Sequence, residues 1–144
     1  MEIEYTLLER LGRPFAVSQL KWRKGGGGLN LVYVTSRDVM RRLDEVCGTD
    51  WQCRYSHVTD SGLTCCEIGI KVDGEWIFRA SGAGETTIEG NKGTFTDAFK
   101  RAGVSWGIGR YLYYGDIQPD SIPEWATQEG YDLIIKQRKE QEND

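Results

Sequence analysis

Lys100 and Arg101 are consecutive cations one helical turn beyond Asp97, in the segment T-F-T-D-A-F-K-R-A. Cations in this position have two uses. Paired with Asp97 at i,i+4 spacing they form a solvated ion pair on a helix surface. Facing a polyanion, they hold phosphates without any covalent chemistry. The rest of the chain offers little catalytic alternative. His57, the single histidine, lies in a strand-like stretch with no serine or cysteine partner by spacing, and reads as an ordinary strand histidine. The carboxylates are scattered, without the repeated pattern that holds two metals. The four cysteines lack C-x-x-C spacing, and Cys65 and Cys66 are neighbours that a strand would send to opposite faces. With one histidine beside them a metal site is not expected, and reduced cysteines in a cytoplasmic protein are the simpler reading. Four glycines, Gly25 to Gly28, resemble a phosphate-cradling loop, but no G-K-[ST] follows, so the lysine and hydroxyl of that loop are missing. No nucleotide-hydrolysis site is legible. A binding protein with no cofactor and no ATP requirement is preferred over an enzyme.

The elements that carry these residues follow from apolar spacing. Phe95, Ala98, Phe99, Ala102, Gly103 and Trp106 fall at i, i+3, i+4, i+7, i+8 and i+11, the single apolar face of a helix. Thr94 with Asp97 has the form of a capping box, which predicts a start near Thr94, and Gly107 and Gly109 predict the end. Lys100 and Arg101 fall off the apolar face. Upstream, Tyr5 to Leu11 reads as a short helix, and Phe15 to Lys24 as a weak strand. The glycine run reads as a hairpin tip, and Leu29 to Val34 as the second strand of that hairpin. Thr35 or Ser36 caps a helix from Arg37 to Cys47, ended by Gly48. Three strands follow: Trp51 to Thr59, Leu63 to Val72 and Glu75 to Ser81. Their turns are Asp60-Ser61-Gly62 and the strong hairpin pair Asp73-Gly74. In the third strand Trp76, Phe78 and Ala80 share one face and Arg79 the other. A loop from Gly82 to Asn91 leads to the helix of Lys100. After the short aromatic stretch Tyr111 to Tyr114, Pro119 and Pro123 mark a linker, and Trp125 to Glu142 a terminal helix with a polar, fraying end. The expected fold class is α+β, an antiparallel meander packed on a long helix (β-β-β-α), with an N-terminal helix and hairpin.

Composition bounds the function classes. A chain of 144 residues with a 39% apolar fraction can bury a core as one domain. No apolar run reaches the ~20 residues that span a bilayer, and the acidic N-terminus does not read as a secretion signal. A net charge of −4 is unlike a basic nucleic-acid-binding domain. The charge is uneven, however. Residues 20–115 carry a balance of +2, whereas residues 116–144 carry −5. A body spanning 1–115 and an acidic linker and helix spanning 116–144 are therefore expected, with room for a local basic groove in the body.

The string K-G-x-x-T-D-A-x-K-R-A, closed by W-G-I-G-R-Y-L-Y, resembles the signature helix of the Rad52/Rad22 family of single-strand annealing proteins, which includes many phage recombination proteins. Trp22-Arg23, the glycine run, Val32-Tyr33-Val34, Arg37, Val39, Leu43-Asp44, Val46, Gly48 and Trp51 stand in the family's order, so the resemblance covers roughly Leu7 to Tyr114. Linked motifs in order are more specific than a lone pattern. The resemblance implies the β-β-β-α core and a DNA-binding role for Lys100 and Arg101, and it adds Arg37 and Lys92 by position. Arg79, with Lys71, is a weaker candidate that a solvated strand face explains equally well. Where the family often places another basic residue, this chain has Val104, a gap that Arg110 would fill. The four tryptophans Trp22, Trp51, Trp76 and Trp106 read as core or subunit-interface residues, and Tyr33 as structural. The resemblance further implies a homo-oligomeric ring that anneals complementary single strands in recombination and repair, in the cytoplasm of a bacterial host, with a host or phage single-strand-binding protein as a candidate partner. The alternative is an oligomeric scaffold that keeps the fold without annealing.

Overall fold

The computed structural model describes residues 3–58, 62–84 and 90–142, with side chains except at positions 26, 58 and 90–93. A capping box between Thr6 and Glu9 starts α1 (Leu7–Leu11). The N-terminal hairpin pairs β1 (Lys21–Lys24) antiparallel with β2 (Asn30–Tyr33), Trp22 opposite Val32, across the glycine tip. The first strand is shorter than expected. Val17–Gln19 is instead a turn of 3-10 helix, because the Gln19 side chain accepts the Ala16 N–H at 3.0 Å and donates to Asp38 at 3.1 Å. Those bonds hold the chain in a turn before the strand begins. Helix α2 (Ser36–Cys47) is capped by Thr35, in a reciprocal box with Asp38, and ends at Gly48.

The main sheet is an antiparallel meander of β3 (Trp51–Val58), β4 (Leu63–Val72) and β5 (Glu75–Ala83). The turn at Asp73-Gly74 has both residues at positive φ, as that dipeptide predicts. The other expected turn includes residues 60 and 61, which lie outside the described residues, as does most of the loop before the long helix. Ile68 sits between Cys53 and Arg79 across the sheet, and Ile70 between Trp51 and Ile77. This row faces helix α3 (Gly90–Ser105) and buries Cys66, Ile68 and Ile70. Across the gap Phe99 packs on Trp51, and Phe95 meets Tyr55 and His57 edge-on. A fully buried phenylalanine contributes about 1.5–3 kcal/mol, so Ala98, Phe99, Ala102 and Trp106 fix which side of α3 faces the sheet.

Two expectations about these elements change. Helix α3 begins a turn earlier than Thr94, which is buried on the same stripe as Ala98 instead of capping the helix. A threonine three residues before an aspartate satisfies both patterns, and the core position wins here. Trp76 is not a core residue. It is 41% exposed and stacks on Phe78 on the sheet face turned away from α3. The face with Arg79 is the inward one, because the Arg79 guanidinium lies over the buried Trp106 ring at 4.6 Å and donates to the Ser105 carbonyl at 2.8 Å.

The end of α3 has defined geometry. Gly107 takes φ 94°, its N–H donates to the Val104 carbonyl at 2.9 Å, and the Ile108 N–H donates to the Gly103 carbonyl at 2.9 Å. That pair of bonds is the Schellman motif, and its left-handed residue favours glycine. Helix α4 (Gln128–Glu142) packs on the N-terminal segment. Asp132 accepts from Arg13 at 3.1 and 2.9 Å and from Tyr5 at 3.0 Å, and Tyr131 donates to the Glu9 carbonyl at 2.8 Å. Ile117, Ala126 and Ile135 are buried, so the acidic segment shares its packing with the body. Arg42, buried on α2, donates to the Leu11 and Arg13 carbonyls and lies over Phe15 at 4.2 Å. No described helix is long and apolar enough to cross a membrane.

Candidate nucleic-acid interface

Burial of one face of α3 leaves Lys100 and Arg101 on the side away from the meander, toward the N-terminal hairpin. A groove of about 430 Å³ runs between β2, α3 and the segment 108–118, lined among others by Arg23, Tyr33, Asp97, Lys100, Arg101 and Tyr113. Lys100 reaches across it. Its Nζ lies 3.5 Å from the Val34 carbonyl and 5.4 Å from the Tyr33 ring centroid. Arg23, from β1, places its guanidinium 5.7 Å from the same ring. A helix cation and a hairpin cation thus converge on one aromatic ring, an arrangement each stabilises through the ring's negative face.

Arg101 does make the ion pair that its spacing predicts, Nε to Asp97 Oδ2 at 3.2 Å. Both side chains are more than a third exposed, so solvent screens the pair to a few tenths of a kcal/mol. An interaction that weak can yield to a phosphate. The pair and the groove are therefore compatible, and Asp97 tempers the positive field without cancelling it.

The other candidates are placed differently. Arg37 is exposed on the first turn of α2 and does not line this groove. Lys92 falls in α3, and its side chain lies outside the described residues. Arg79 is committed to Trp106 and Ser105 on the inner side of the sheet, not on a solvated face. Arg110 donates to the carbonyls of Val104 at 3.1 Å and Ser105 at 3.0 Å. Positive charge at a helix C-terminus satisfies orphan carbonyls and complements the macrodipole, so Arg79 and Arg110 both stabilise the end of α3. Apolar spacing does not place Arg23 in the groove, and it favours a structural role for Tyr33 over a stacking one. The signal available was the hairpin register, which sets Arg23 and Tyr33 on paired strands.

Burial pushes the Cys66 thiol up to about 12 and raises that of Cys47, so neither is a thiolate at neutral pH. His57 Nδ1 is 3.2 Å from the Thr64 hydroxyl, on the sheet. Among the described residues no cluster of three or more His, Cys, Asp or Glu could hold a metal ion. What the groove can do chemically is bind anions and present an aromatic ring.

Comparison with known proteins agrees with this chemistry. Residues 4–122 match the model of the Rad52/22 family double-strand break repair protein. The chain is 30% identical over 137 residues to the single-stranded DNA-binding protein DdrA of Deinococcus deserti, covering 82% of this chain and 68% of that protein. It is 29% identical over 137 residues to the protein of the same name from Deinococcus radiodurans, covering 82% of this chain and 66% of that one. The match spans most of the described body, including both strands of the hairpin, α3 and the groove between them, and the chain belongs to the Rad52/22 family of double-strand break repair proteins.

Proposed function

We propose that this chain binds single-stranded DNA along the groove between the hairpin and α3, and anneals complementary strands without hydrolysing nucleotide. The observation that carries the reading is the convergence of Arg23, Lys100 and Arg101 on one open groove from two separate elements. Family membership and the name of the DdrA relatives support the choice of single-stranded DNA over another polyanion. Phosphate contacts are sequence-independent and position the strand. Held by its backbone, the strand keeps its pairing edges available to a complement, and the search for register needs no fuel. Arg37 and Lys92 extend the strand's path beyond the groove in this proposal.

A closed homo-oligomer fits the same function, because one groove holds only a few nucleotides and annealing needs a longer aligned strand. Among the described residues the outer edges of β3 and β5 pair with no further strand, and unpaired edges call for cover. The experiment is an annealing assay on complementary labelled oligonucleotides without nucleotide, with and without a chelator, beside light scattering of the same sample. Acceleration of annealing in both buffers by a species much larger than a dimer is expected. A monomer that binds no strand would sink the proposal.

A further inference from the structure

Tyr113 and Tyr114 are the most exposed large apolar-bodied residues of the described chain, at 75% and 66%. They are consecutive, and they stand on a rigid base. The turn Arg110–Tyr113 is held by the Leu112 N–H on the Gly109 carbonyl at 3.2 Å and the Tyr114 N–H on the Tyr111 carbonyl at 3.1 Å. Tyr111 beneath them is buried, and its hydroxyl accepts the Phe15 N–H at 3.0 Å. The backbone is thus pinned to the core while the two rings reach solvent. Neither hydroxyl has a hydrogen-bond partner among the described residues. Two tyrosines presented in this way are unlike a core pair, which would bury the rings and bond the hydroxyls.

Their location is more specific than their exposure. Tyr113 lines the groove of Arg23, Lys100 and Arg101. Tyr114 lines an adjoining cavity of about 570 Å³ with Trp106, Trp125, Arg110 and Arg138. Gly115 follows directly, and a Cβ there would come within 3.0 Å of the Trp125 ring, so the chain turns closely over that indole. The two tyrosines therefore form the divide between a cation-lined groove and an aromatic-floored one. Both sides carry arginine, and in the groove the three cations Arg23, Lys100 and Arg101 outnumber the carboxylates Asp97, paired with Arg101 at 3.2 Å, and Asp116, which accepts from the Gln118 amide at 2.8 Å. Glu9, the carboxylate lining the second cavity, is already paired with Lys139 at 2.9 Å.

We propose that Tyr113 and Tyr114 form a base-stacking platform for single-stranded nucleic acid leaving the phosphate groove. The inference rests on the groove reading above and deepens it. Continuity with that groove and positive charge on both sides favour a polyanion with flat apolar groups over a protein segment. Aromatic faces accept any base, so the contact is sequence-tolerant like the phosphate contacts, but it reads the base and not the backbone. It also gives the strand a fixed point at which bases are splayed from their neighbours, beside the stretch held only by phosphate.

The experiment compares two strands on the intact protein, an oligothymidylate and the same backbone with abasic residues, by fluorescence anisotropy at one salt concentration. The expected wild-type result is about tenfold or more weaker binding to the abasic strand. Tyr113→Ala with Tyr114→Ala should bind the thymidylate about as weakly as wild type binds the abasic strand, with no further loss on the abasic one. Tyr113→Phe with Tyr114→Phe should keep the discrimination, because the ring faces remain. The salt slope should match wild type in both variants, since no phosphate partner is removed; that result separates this inference from the groove reading, whose failure would show instead in a Lys100→Ala, Arg101→Ala protein. Equal wild-type binding to both strands would overturn the proposal and leave the groove untouched. Undiminished discrimination in the double alanine variant would overturn it too. So would a change of oligomeric mass in that variant, which would assign the tyrosines to a subunit interface.

Discussion

The ammonium of Lys100 lies 5.4 Å from the centroid of the Tyr33 ring, so the long helix and the N-terminal hairpin meet through a cation and an aromatic face. Arg23 approaches the same ring from the hairpin side at 5.7 Å. Tyr33 holds two like charges within one groove by giving both an attractive neighbour. Tyr33→Leu keeps an apolar strand residue and removes the ring face. The expected outcome is a folded protein, destabilised by less than about 1 kcal/mol, with weaker DNA binding because the two cations are no longer held. Thermal unfolding and anisotropy on the same sample check it. Unaltered affinity would mean that the ring has no part in positioning them.

Arg110 tests the distinction between a helix cap and a DNA-binding residue. Its donors are occupied by the Val104 and Ser105 carbonyls. Arg110→Ala should lower stability by about 0.3–1 kcal/mol, read as a lowered melting temperature. It should leave the slope of log affinity against log salt where it was. A slope reduced by about 0.7 on a single strand would instead assign Arg110 to a phosphate.

Acid should loosen the attachment of α4, and pH changes near neutrality should not. The hydrogen bonds from Arg13, and a further one from Tyr5, hold the Asp132 carboxyl below its ordinary range. Burial pushes Glu9 up, but the Thr6 N–H and Lys139 outweigh it and the group ends below its ordinary value. Groups depressed in the folded state contribute stability above the unfolded carboxylate pKa, and lose it as pH falls through the folded value. Stability should therefore be flat from neutrality down to the ordinary carboxylate range and decline below it. Asp132→Asn should cost about 1 kcal/mol or less at neutral pH, given the exposure of the pair. The same change should flatten the acid decline. Chemical denaturation across a pH series measures both, and a parallel acid decline in the variant would show that Asp132 does not set it.

Much of the candidate site was legible because it depends on local periodicity. The stripe from Phe95 to Trp106 determines which residues of α3 face the sheet, and Lys100 and Arg101 are what remains. The three-strand meander and its Asp73-Gly74 turn were legible for the same reason. What was not legible depends on packing between distant segments. Arg23 enters the groove only because the hairpin folds back along α3. Arg79 looked solvated because strand alternation separates two faces without saying which one meets the helix. Thr94 looked like a cap because a cap and a core threonine share the same spacing to Asp97. The acidic balance of residues 116–144 does not reveal that Tyr5, Arg13 and Glu9 bind α4 from the other end of the chain. Net charge carries no information about such pairings.

The most direct measurement is the salt dependence of single-strand binding by Lys100→Ala with Arg101→Ala, beside wild type. Removing the Asp97–Arg101 pair should cost a few tenths of a kcal/mol of stability and removing the Lys100–Tyr33 contact about 0.5–1 kcal/mol, so the variant should be folded and of unchanged mass. If the two cations face phosphates, affinity should fall for every strand sequence, and the slope of log affinity against log salt should shrink by about 0.7 for each phosphate of a single strand that is no longer neutralised. Annealing should fall with it. A variant with wild-type affinity, wild-type slope and wild-type annealing would return Lys100 and Arg101 to a solvated helix surface and contradict their assignment to DNA.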